Sequence, residues 1–67
     1  MNKKLYNMLE CSAKADLAKA DLTMELLSDK GAGIGDHSTG DFYKHAEEAL
    51  LMATDALDRL ETLKRYE

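Results

Sequence analysis

The residues that could do chemistry in this chain are a few acids and two histidines around one glycine-rich segment, GAGIGDHSTGD, residues 31 to 41. His37, Asp41 and His45 stand at i, i+4 and i+8, with Glu48 nearby, a spacing that gathers imidazole and carboxylate groups for a transition metal. His37 precedes the expected helix start, however. His45 falls at the margin of an apolar face near Met52, so the ligands fall short of a closed site within one chain. A calcium loop needs acids and a glycine at fixed places. Asp36, Ser38, Gly40 and Glu47 fit positions 1, 3, 5 and 12, but position 6 is Asp41 instead of glycine and position 9 is Lys44. Glycine N–H groups before a helix also attract phosphate. Here Gly40 is followed by Asp41 and Phe42 where a phosphate loop needs Lys and Ser or Thr, no strand precedes, and Asp36 and Asp41 repel an anion. The segment reads as a connector, with Asp36, His37, Asp41 and His45 as the only metal candidates and no cofactor expected.

Asp55, Asp58 and Glu61 form a second acidic set. Their spacing resembles the acidic helical motifs of all-α nucleotide pyrophosphohydrolases, and the resemblance implies magnesium held between carboxylates of adjacent helices. These three project to the polar side of their helix, where carboxylates directed at water cannot converge on an ion. Cys11 has only Lys14 as a basic neighbour one helical turn away and lies in an apolar stripe, which assigns it to packing and not to nucleophilic work. No enzymatic activity is expected.

The elements that must position these residues are two helices. All four glycines, Gly31, Gly33, Gly35 and Gly40, cluster in the single break, proline and valine are absent, and both flanks are rich in Ala, Leu, Lys, Glu and Met. Helix 1 is expected over about 3–30, capped by Asn2 and ended by Gly31. Helix 2 is expected over about 39–66, capped by Ser38 or Thr39, with Asp41 in its first turn and the acid-first pairs Asp55–Arg59 and Glu61–Arg65 on its surface. The repeat AKADLAKADL, residues 13 to 22, advances five residues, which turns a helix by about 140° beyond a full circle. Leu17 and Leu22 therefore point apart. They belong to two apolar stripes: Tyr6, Leu9, Ala13, Leu17, Ala20, Met24 and Leu27 on one side, and Met8, Cys11, Ala15, Ala18, Leu22 and Leu26 on nearly the opposite side. Helix 2 carries one broad stripe: Phe42, Ala46, Ala49, Ala53, Ala56, Leu60 and Leu63, widened by Leu50, Leu57 and Met52. The fold class is all-α, one domain over 1–67, an antiparallel helical hairpin expected to dimerise into a four-helix bundle through one stripe of helix 1, with Met8, Cys11, Ala15, Ala18, Leu22 and Leu26 as the oligomer interface.

Size supports the need for a second copy. A 67-residue chain with one cysteine has no intramolecular disulfide and no zinc-finger spacing to staple a small core. No apolar run approaches a membrane span, and MNKKLYNMLECS interrupts any signal-peptide core, which places the expected protein in a reducing, cytoplasmic compartment. The net charge of −4 lies in the second half: residues 31 to 67 hold eight acids against four bases, while residues 1 to 30 hold five of each. That balance argues against nucleic acid. Overall, the plan resembles the small helical-hairpin dimers of the Rop type, in architecture and without a shared motif. Three classes of function follow. The first is a protein-interaction module or regulator of the kind found as phage and mobile-element accessory proteins, binding and inhibiting a larger partner through an acidic face of Glu47, Asp55 and Asp58. The second is a Rop-like RNA-binding dimer that gathers Lys3, Lys4, Lys14 and Lys19. The third is a ligand-sequestering oligomer or small metal-dependent enzyme built on the 31–41 loop. The first fits an acidic hairpin without a catalytic group best.

Overall fold

The structure is a computed structural model that describes residues 1–30 and 39–67. Helix α1 spans Lys3–Lys30 and helix α2 spans Thr39–Leu63, followed by a single 3-10 turn over Lys64–Tyr66. The helices pack against each other as an antiparallel hairpin: Tyr6 near the start of the chain meets Glu67 at its end. Asn2 opens α1, its Oδ1 accepting the N–H groups of Lys4 at 2.7 Å and Leu5 at 3.3 Å. Two donors that the first turn leaves without carbonyl partners are thereby satisfied. The hydroxyls of Thr23, Ser28 and Thr54 donate to the carbonyls four residues back, at 2.8, 2.8 and 2.9 Å. These polar side chains therefore sit on the helices without leaving a group unpaired. Gly31, Ser38 and the side chain of Thr39, assigned above to helix ends, lie outside the described residues.

Alanine builds the seam. Ala13, Ala20, Ala49, Ala56 and Leu63 are the buried apolar residues among those described. In each helix an aromatic residue, two alanines and a leucine follow one another at intervals of seven: Tyr6, Ala13, Ala20, Leu27 and Phe42, Ala49, Ala56, Leu63. A seven-residue interval keeps one face of a slightly supercoiled helix on its neighbour. Small side chains on both sides let the axes approach toward the short end of the roughly 8–10 Å range for helix pairs. Leu17, Ala46, Ala53 and Leu60 flank this row half-buried.

The resulting core is thin. Leu63 is the only buried side chain larger than alanine among the described residues. The chain forms a rod of 49 × 13 × 12 Å with a radius of gyration of 15.3 Å, against about 11 Å for a compact domain of this length. Its accessible surface is 5300 Å², where a folded monomer of its mass exposes about 4,200 Å².

Candidate functional site

The residues singled out for chemistry are not gathered by the fold. Asp36 and His37 lie outside the described residues. Asp41 and His45 occupy the first two turns of α2, both exposed. Among the described residues, no three His, Cys, Asp or Glu side chains come together in a way that could hold a metal ion. The acids of the second set turn to different neighbours: Asp55 accepts from Arg59 Nε at 3.0 Å, and Glu61 meets Lys64 Nζ at 3.4 Å in place of Arg65. Asp58 borders a groove between the helices. Cys11 is exposed. Of the lysines considered for RNA, Lys14 lies 3.7 Å from Glu10 and Lys19 lies 3.9 Å from Asp16, each beside an acid of its own helix and on different flanks of α1.

Two polar contacts tie the helices together. Arg59 of α2 donates from Nη2 to Asp16 Oδ2 of α1 at 2.6 Å while its Nε holds Asp55. The hydrogen bond it donates to Asp16 favours the charged guanidinium and moves the Arg59 pKa further up. At the open end of the hairpin, the Tyr6 hydroxyl donates to Glu67 Oε1 at 3.0 Å. Partial burial, and then the neighbouring Glu67 carboxylate, raise the Tyr6 pKa above its ordinary value of 10.0. Neither contact stood out in the sequence, because both depend on the register across the hairpin. The local cue for the first was only that Asp16 and Arg59 each adjoin a seam leucine, Leu17 and Leu60.

Grooves run along both sides of the seam near the chain ends. One, of about 450 Å³, is lined by Met1, Leu9, Ser12, Arg59, Thr62 and Tyr66, with Asp58 at its edge. The other, of about 320 Å³, places Glu10, Lys14, Leu57, Glu61 and Lys64 together. The first has an apolar floor, and its one cation is already engaged by two aspartates. The second alternates charges of both signs.

The broad exposed apolar faces are the distinctive feature. Leu17 is half-buried against α2, whereas Leu22 is 56% exposed, so the stripe through Leu17 is the one that closes the hairpin. The stripe of Met8, Cys11, Ala15, Ala18, Leu22 and Leu26 lies uncovered on the outside of α1, and Leu5 extends it. On α2, Tyr43, Leu50 and Leu57 follow at intervals of seven, all more than half exposed, and Leu51 beside them is 69% exposed. Glu47, Asp58 and Glu61 stand exposed on α2, with Asp58 and Glu61 bordering the grooves on either side of the seam. Isolated exposed leucines are ordinary, whereas here they stand in contiguous rows. No protein-family model, no curated protein sequence and no solved structure matches this chain.

Proposed function

We propose that the protein is a non-catalytic helical interaction module, a small regulator that works as a homodimer and binds a larger protein through α2. The observation that carries this reading is the division of apolar residues. The seam consumes alanines, while Met8, Leu22, Leu26, Tyr43, Leu50, Leu51 and Leu57 remain outside it. One face of α1 is suited to a second copy. The outer side of α2, where the leucine row runs beside Glu47, Asp58 and Glu61, suits an amphipathic segment with basic flanks, because apolar anchors supply the burial and opposite charge supplies orientation.

The test has two arms. Sedimentation velocity at micromolar concentration reports a dimer. A stable monomer there removes the homodimer from the reading. Capture from a lysate of the source cell, with the identified partner then purified, gives binding that weakens in Glu47→Lys/Asp58→Lys and loses part of its salt dependence, at unchanged helical content. Asp55 is retained in that variant because it holds Arg59. Unaltered binding by the charge-reversed protein removes the acidic side of α2 from the interface.

A further inference from the structure

We infer that the second copy docks along the outer face of α1 in antiparallel fashion, with the two-fold axis passing between Ala15 and Ala18. The inference rests on the homodimer reading and adds its face, direction and register. The midpoint of Lys3–Lys30 falls between Asp16 and Leu17, and Ala15 and Ala18 stand equally on either side of it. An antiparallel pair centred there overlaps the two helices along their whole length. It also sets Ala15 of each chain against Ala18 of the other, so the closest approach falls on the smallest side chains.

The remaining residues of the face fit this register and not its parallel alternative. Positions equidistant from the axis oppose one another, so Cys11 faces Leu22 of the second copy, Met8 faces Glu25 and Lys4 faces Asp29. One row over, Leu5 comes beside Leu26 and Lys14 beside Asp21. Lys4, Asp21, Glu25 and Asp29 make no ion pair within the chain among the described residues. The antiparallel pairing sets Asp29 against Lys4, with Glu25 one turn away from the same lysine, and brings Asp21 beside Lys14, which also meets Glu10 of its own helix, each twice by symmetry. A parallel pair sets Lys4 against Lys4 and Glu25 against Glu25, which repels along the same face.

Because the two faces of α1 lie about 140° apart, the four helices form an open row, α2 and α1 of one copy followed by α1 and α2 of the other. In a closed square bundle each helix meets its two neighbours at about a right angle. The row leaves the outer side of both α2 helices uncovered for the larger partner.

Leu22→Cys tests the register directly. Within one helix, positions 11 and 22 are about 16 Å apart by helical rise, beyond the roughly 7 Å limit for a disulfide, so a bond between them must join two chains. Treatment with oxidised glutathione is expected to give a non-reducing dimer whose peptide map links Cys11 to position 22 of the other chain. The unmodified protein, with Cys11 distant from its symmetry mate, is expected to form no disulfide dimer. In solution, Lys4→Glu weakens dimerisation by roughly tenfold, and Glu25→Lys with Asp29→Lys in the same chain restores it. A sedimenting dimer that links 11 to 11 or 22 to 22, or gives no 11–22 bond, overturns the register and leaves the homodimer standing. So does indifference to the charge swap. A protein that stays monomeric overturns both.

Discussion

At the scale of single residues, the hairpin is closed by contacts that join its two ends and its middle. Tyr6 supplies one with a titration that can be followed. Its hydroxyl donates to Glu67, and burial together with that carboxylate raises its pKa above 10.0. A raised pKa of this kind contributes stability that is fully present below pH 10 and lost as the pH rises through the folded value. In a Tyr43→Phe/Tyr66→Phe background, absorbance at 295 nm is expected to titrate at a higher pH in the folded protein than in urea. Tyr6→Phe abolishes the alkaline loss of stability that accompanies that ionisation. A Tyr6 midpoint equal in the two states shows that the contact is absent in solution. Asn2 as a cap and Asp55 beside Arg59 were legible in the sequence because each is settled within one turn. Arg59 reaching Asp16 was not, because forty-three positions separate them and only the seam register brings them together.

Helix by helix, the sequence was informative wherever periodicity decides. The single glycine cluster, the split between Leu17 and Leu22 and the stripe of α2 were all readable. The direction of the two α1 stripes was not, because both are apolar and of similar width. What separates them is the matched row of aromatic, alanine, alanine and leucine that α1 shares with α2, a signal present in the sequence and visible once its seven-residue interval is compared across the break. Leu50 and Leu57, read as widening the buried face of α2, lie largely exposed because close alanine packing narrows the seam. The seam makes a measurable demand on size. Ala56 has no exposed surface, so Ala56→Leu pries the axes apart and destabilises the hairpin by about 1–3 kcal/mol. Thr54→Leu, on the outside, changes stability by no more than about 0.5 kcal/mol. Urea denaturation followed by circular dichroism compares the two. Equal midpoints show that the seam has room to spare.

For the whole molecule, the decisive quantity is the surface left over. A rod two helices thick with a core of alanines has little stability of its own, and the homodimer proposed above makes folding a second-order event. Each tenfold rise in protein concentration is then expected to add about 1.4 kcal/mol to the apparent stability of the dimer, so the thermal midpoint climbs with concentration. Differential scanning calorimetry over a hundredfold range decides this. A midpoint independent of concentration shows that the single hairpin is the stable unit. Among the described residues, no helix is long and apolar enough to cross a membrane.

The consecutive order of α1 and α2 also fixes a clock. Contacts across a helical hairpin are made between segments adjacent in the chain, and such topologies close in microseconds to milliseconds. Joining two copies is slower and scales with concentration. After a stopped-flow dilution from urea, far-ultraviolet ellipticity is expected to recover in a fast phase independent of concentration and a slower one that accelerates with it. In the homodimer proposed above, copies labelled with different fluorophores are expected to exchange partners on simple mixing, without denaturant. For the homodimer proposed above, the concentration of the chain then sets how much of it is paired.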